Sequence, residues 1–233
     1  MSLLSIIQAT CDRLSLNRPS AVVASSDKLV RQLMGIANEA GESLSRRGVP
    51  GWQALIEEHA FVTVALAEQS NTPIPSDLRR FVPDSFFNRS TGRQVVGPMT
   101  SQDWQNVQAN GVAASIYLTY RERGGTFLIS PVPTAGETIA YEYVSKYWVR
   151  SSVGVAKAAF TVDEDETYLD EELLILEIRW RWKQAKGLDY GEDMATAERA
   201  IVKALGEDGS AGSISLEGVS DIYAVNVPIS IPV

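Results

Sequence analysis

The sequence predicts an α+β protein: a helical bundle core drawn from both ends of the chain, a β-rich domain inserted between them, and an extended C-terminal arm. Three observations predict it. Apolar residues recur at spacings of three and four near the start and again after residue 170, alternating and β-branched runs fill the middle, and a glycine-rich polar stretch precedes a proline-bearing tail. The implied divisions are residues 1–50 for the first helices, 51–160 for the β-rich block, 161–206 for the returning helices, and 207–233 for linker and arm.

Leu3, Leu4, Ile6, Ile7 and Leu14 form the apolar face of a first helix, and Pro19 stops it because its ring disfavours helical backbone at Arg18. This stretch lacks a basic leader, and charged residues interrupt its apolar run, so it reads as a structural helix and not a signal segment. Ser25 or Ser26 is placed to cap a second helix with Leu29, Leu33, Ile36, Ala37, Ala40 and Leu44 along one stripe; Gly48 and Pro50 close it. From residue 52 to 149, runs such as "FVTVA" and "SIYLTY" alternate with clusters of Pro, Gly, Asn and Asp, the pattern of strands and turns. One exception is a short helix capped by Thr100 or Ser101 and carrying Trp104 and Val107. Gly124 and Gly125 supply a tight hairpin turn. "PVPTAGET" reads as a stiff reversal between two strands, with Pro131 and Pro133 lacking donors and Gly136 permissive.

After "DEDETYLDEE" a helix returns, with acids at its start, Arg179, Arg181, Lys183 and Lys186 at its end, and Gly187 just beyond. Each such charge complements the helix dipole by about 0.3–1 kcal/mol when exposed. The acidic stretch reads as a solvated turn, since no glycine stands where a calcium loop needs one. On that helix Trp180 and Trp182 point about 200° apart. One is expected to enter the core with Leu173 and Leu176 and the other to face a subunit contact or solvent. A last helix carries Tyr190, Met194, Ala197, Ile201 and Leu205, with Gly206 as its stop; "GEDGSAGS" then reads as a flexible linker. Pro228 and Pro232 confine the tail "ISLEGVSDIYAVNVPISIPV" to an edge strand or extended arm that adds to another surface, such as a neighbouring subunit.

Net charge is −8 and the isoelectric point about 4.8, so the overall field repels a phosphate backbone and argues against sequence-specific DNA binding. Cys11 is the only cysteine and His59 the only histidine, which excludes an intrachain disulfide and a Cys/His zinc set. Cys11 reads as a small buried hydrophobe. Any triad-type mechanism would have to use His59, whose neighbours "EEHAF" carry no nucleophile motif. The glycines of "RGVPGW" and "RERGGT" lack phosphate-loop spacing. "RWRWK" on a helix gives no continuous stacking platform for nucleic acid. No apolar run approaches the roughly 20 residues of a membrane-spanning helix. No catalytic, cofactor-binding or metal-ligating residue is therefore expected. Two other readings stay open: a cell-wall glycoside hydrolase with carboxylates about 5–10 Å apart, and a carbohydrate-binding module using exposed tryptophans.

"FVTVALAEQ" followed by "IPSDLRRF", then "DSFFNRSTGRQVVGPMTSQDWQ", then "YRERGGTFLISPVPTAGETIAYEYVSKYWV", resembles the head-to-tail adaptor (tail accessory factor) family of short-tailed double-stranded DNA bacteriophages. The resemblance covers about residues 52–150, with Ile74 before Pro75 and Leu78 after Asp77 as apolar departures from the family pattern. It implies a ring, usually of twelve copies, beneath the portal protein. Such a ring extends the DNA channel, retains the packaged genome and offers a platform for tail nozzle or fibre proteins. It also implies a virion protein that assembles in the host cytoplasm, touches passing DNA without reading sequence, and reaches the portal with its C-terminal arm. The contact residues expected are Tyr141, Tyr143, Tyr147, Trp148 and Trp182, with Ile222, Tyr223, Val225, Val227, Ile229 and Ile231 in the arm.

Overall fold

The computed structural model describes residues 1–110 and 117–209 and has the expected mixed α+β architecture. Its described helices are α1 (Leu3–Arg13), α2 (Lys28–Ser45), α3 (Ser101–Asn110), α4 (Glu171–Ala185) and α5 (Gly191–Asp208). Side chains fix where each begins. Ser2 caps α1 by accepting the Ser5 N–H, and Thr100 caps α3 by accepting the Asp103 N–H at 3.1 Å. The cap of α2 is Asp27, which accepts the Leu29 N–H at 2.9 Å. The expected Ser25 instead accepts the N–H of Asp27 and orients the carboxylate that does the capping. Asp170 caps α4 through the N–H groups of Glu172 and Leu173, and Gly187, at φ +68°, follows its end. Helix α5 runs through the expected stop at Gly206 to a cap at Gly209. A glycine inside a helix costs about 1 kcal/mol without breaking it.

The strands are β1 (Ile56–Val62), β2 (Glu68–Gln69), β3 (Leu78–Phe81), β4 (Phe87–Asn88), β5 (Arg93–Gln94), β6 (Thr119–Arg123), β7 (Thr126–Ser130), β8 (Thr138–Ser145), β9 (Val149–Arg150), β10 (Ala156–Lys157) and β11 (Glu166–Thr167). They form three antiparallel sheets: a five-stranded one ordered β1-β8-β4-β5 with β3 also on β8, and three-stranded ones ordered β2-β7-β6 and β10-β9-β11. The β6–β7 hairpin closes Arg123 against Thr126 with Gly124 and Gly125 at φ +60° and +80°, a turn that only such residues adopt without strain. "PVPTAGET" does not close a hairpin. Strand β7 is already paired on both edges by β2 and β6, so the proline segment carries the chain across to β8 in the five-stranded sheet.

Two cores result. Phe61, Phe86, Val95, Tyr120, Phe127, Ile129, Ile139, Tyr141 and Tyr143 form an aromatic core between the β1–β8 sheet and the β2–β7–β6 sheet. Its rings stack closely, with Phe86 3.9 Å from Tyr120 and 4.3 Å from Tyr141 between centroids. The larger core joins α1, α2 and α4 and takes in Ile201 of α5 together with Trp52, Leu55, Val144, Trp148, Val149 and Phe160. Cys11 is buried there, as expected, and burial pushes its thiol pKa up.

Trp148 fills the space left by a missing side chain on α2: a Cβ on Gly41 would lie 2.0 Å from its ring. Gly41→Ala is therefore expected to lower folding stability by about 1–3 kcal/mol through overpacking. Equilibrium urea denaturation measures this, and a midpoint equal to the parent's would contradict the packing described.

Candidate interaction surfaces

The aromatic residues expected at a contact surface lie mostly inside the subunit. Tyr141 is 1% exposed, Tyr143 4%, Trp148 0% and Trp182 8%, so none of the four presents area to a neighbour. The reason is topological. Strand β8 has partners on both edges, the aromatic core covers its Tyr141–Tyr143 face, and the helices cover Val144 on the other. Tyr141 donates to the Pro73 carbonyl at 2.5 Å, and Tyr143 donates to Asp77 at 3.1 Å. Burial, reinforced by the Asp77 and Glu57 carboxylates, pushes the Tyr143 phenol pKa up. Asp77 also accepts the Ser145 hydroxyl, so the acid of "IPSDLRRF" pins the start of β3 to the end of β8. Tyr147 alone of the five described aromatic candidates is partly exposed, with the Lys146 ammonium 5.8 Å from its ring centroid.

Helix α4 buries both of its tryptophans, where one was expected to face outward. Trp182 enters the main core with α1 and α2, while Trp180 packs with Leu176, Tyr190 and Ala197 under α5. The opposed directions that prevent a stacking platform let each ring serve a different helix interface. All five tryptophans are buried, which removes the exposed rings that a carbohydrate-binding module would need. The arm residues Ile222, Tyr223, Val225, Val227, Ile229 and Ile231 lie outside the described residues.

What the subunit does expose is the outer face of the five-stranded sheet. Register places Glu58 beside Glu142 and Ala60 beside Ala140, with Phe87 of β4 on the far side of Ala140. Phe87 and Val62 are 46% and 47% exposed, and Arg89 pairs with Glu58 at the rim. A second exposed feature is a concavity of about 400 Å3 lined by Glu42, Arg46, Leu78, Arg79, Arg80 and Lys146. Four cations there face one carboxylate on an otherwise acidic chain, with Arg79 bonded to Glu42 and to the Lys146 carbonyl, and Arg80 to the Gly48 carbonyl. Neither feature was identified from the sequence, because both are assembled by pairing β8 with β1, β3 and β4 across long separations. A third is the loop after β9, where Val153 and Val155 are exposed.

The acidic stretch is a solvated turn only in part: Glu164, Asp170 and Glu172 are exposed, but Asp163 and Asp165 are engaged by the fold. Asp165 is fully buried; its carboxylate binds the Lys157 ammonium at 2.6 Å and accepts the N–H groups of Thr161 and Val162. Asp163 accepts the N–H groups of Val22 and Val23 at 3.0 and 2.7 Å, tying the α1–α2 connection to this segment. These acids are occupied by fixed partners, and among the described residues no three His, Cys, Asp or Glu side chains are grouped to hold a metal ion. His59 is partly exposed and bonds through Nε2 to the Thr72 carbonyl. No helix among the described residues is long and apolar enough to cross a membrane.

Comparison with known families gives a match to the family described as SU10 adaptor protein, over residues 1–219. No curated protein matches the chain.

Burial alone would raise the Asp165 pKa, but the Lys157 bond and the Thr161 and Val162 N–H groups outweigh it and hold the carboxyl below its ordinary range. The stabilisation is thus present above the unfolded value of about 3.9 and is lost as pH falls through the lower folded value. Asp165→Asn is expected to cost about 2–3 kcal/mol at neutral pH, and its stability should fall less steeply than the parent's below pH of about 4. Urea melts across that range measure both; parallel curves would contradict the assignment.

Proposed function

The chain belongs to the SU10 adaptor protein family, a family of bacteriophage adaptors, and from that premise we propose that it is a neck subunit of a short-tailed phage. In this reading about twelve copies form a ring below the portal protein, extend the DNA channel, help retain the packaged genome and present a platform to tail nozzle or fibre proteins. The arm, with Ile222, Tyr223, Val225, Val227, Ile229 and Ile231, makes the portal contact. Tyr147, the Phe87 sheet face and the Val153 loop are the contact surfaces toward sister copies and tail proteins. The subunit makes and breaks no bond.

The observation that carries the reading is the family match across residues 1–219, which spans the helices, the β-rich block and the start of the tail. The surface is compatible with it. Asp163 and Asp165 hold the subunit together, the tryptophans are internal, and exposed apolar groups are present on a sheet face, with Phe87 and Val62, and on a loop, with Val153 and Val155. The charge of −8 suits a channel that lets DNA slide instead of gripping it.

Electron microscopy of the protein mixed with its cognate portal tests the proposal. The expected result is a closed ring coaxial with the portal, with acidic side chains facing the lumen. A lumen lined chiefly by Arg and Lys would contradict the sliding argument, and phage particles that keep a sealed neck and full genome without this protein would contradict the function.

A further inference from the structure

The outer edge of β1 is unpaired among the described residues. Thr63 donates its N–H to Glu137 and β1 pairs with β8 in register from Ile56↔Val144 to Val62↔Thr138, so the odd-numbered residues Glu57, His59 and Phe61 direct their backbone groups at β8. The even-numbered Glu58, Ala60 and Val62 direct theirs outward. Of these outward groups only the Val62 carbonyl has a described partner, the Asn71 side chain. The side chains of those even residues are exposed and lie on the same sheet face as Phe87, with the small Ala140 buried between Ala60 and Phe87. An open edge beside an apolar face is a template for another strand.

The described chain ends beside this edge. Asp208, the last residue of α5, accepts the Gln53 N–H at 2.8 Å, three residues before β1 begins. Beyond it lies a tail in which, over residues 223–231, the large apolar residues Tyr223, Val225, Val227, Ile229 and Ile231 are odd-numbered, Ile222 standing just before them, and in which the prolines, 228 and 232, are both even-numbered. In a strand, alternate residues address opposite edges, and proline has no N–H to give. Such a segment can therefore pair along one edge only, through its odd-numbered residues. In an antiparallel ladder a residue bonded to Glu58, Ala60 or Val62 shares their face, so this pairing sets the apolar odd side chains on the exposed face beside Ala60, Val62 and Phe87.

We propose that, in the free subunit, residues 223–231 of the same copy add to the edge of β1 as an antiparallel sixth strand of the five-stranded sheet. The reach is sufficient: about twelve linker residues extend to about 40 Å, against about 24 Å for a seven-residue strand. Tethering favours the chain's own tail, since a linker of about twelve residues gives an effective concentration of about millimolar. The added strand covers an edge that would otherwise invite pairing between subunits, and leaves the tail to be released to the portal on assembly. The proposal concerns the free subunit and stands apart from the ring.

Amide hydrogen exchange by NMR on the full chain tests it residue by residue. Glu58, Ala60 and Val62 should be protected to within about tenfold of Glu57, His59 and Phe61. Val227→Pro, which removes a donor facing β1, should speed exchange at the even-numbered amides by about tenfold or more, while Ser230→Pro, at a position facing away, should leave them protected. The odd-numbered amides report that the sheet is intact in every variant. Fast exchange at the even-numbered amides of the parent, or equal effects of the two prolines, would overturn the proposal. Protection that appears only on raising the protein from about 5 to about 200 µM would overturn the own-copy assignment in favour of a second copy. Failure of the ring to form on a portal would leave these amide patterns unchanged, so the two claims fail separately.

Discussion

Double-sided burial of one strand organises the molecule. β8 is bonded to β1 along one edge and to β3 and β4 along the other. One of its faces sends Ile139, Tyr141 and Tyr143 into the aromatic core, and Val144 on the other belongs to the helical core. Trp148, just beyond the strand, inserts against Gly41 of α2 and lies edge-on to Phe160 at 5.0 Å. A strand held on four sides has no freedom to slip, because a one-residue shift would exchange the aromatic and helical faces. The β-rich block is thereby locked to the helices instead of hanging from them by linkers.

The same logic explains where the charges went. Asp163 and Asp165 lie in the segment before α4, and their backbone carbonyls accept the N–H groups of Leu4 and Leu3, while their carboxylates hold Val22, Val23, Lys157, Thr161 and Val162. This segment therefore starts α1, fixes the α1–α2 connection and braces the β9–β10 hairpin. Asp77 does the equivalent for β3 and β8.

Local chemistry was legible in the sequence and long-range assembly was not. Helix existence and the Thr100 cap followed from periodicity and capping residues, and the Gly124–Gly125 hairpin followed from the need for positive φ. The fate of the tyrosines did not follow, because alternation places Tyr141 and Tyr143 on one face without saying what covers it. Only the pairing of β8 with strands about 80 and 60 residues earlier decides that. For the same reason "PVPTAGET" resembled a hairpin turn although its flanking strands join different sheets, and the Arg46, Arg79, Arg80 and Lys146 concavity is scattered in sequence. The acidic run misled because its composition is that of a solvated turn, whereas its acids bond to residues as distant as Val22, 141 positions from Asp163, and Arg13, 159 positions from Glu172.

A subunit whose large aromatics serve its own core must meet its neighbours with other groups, and side-chain footprinting compares these directly. Hydroxyl-radical labelling of the protein free and within purified virions should show protection at Tyr147 and the Val153 loop, with Tyr141, Tyr143 and Trp148 equally unreactive in both. Strong labelling of Tyr141, Tyr143 or Trp148 in the free protein, lost in the virion, would contradict the account and return those rings to the contact surface.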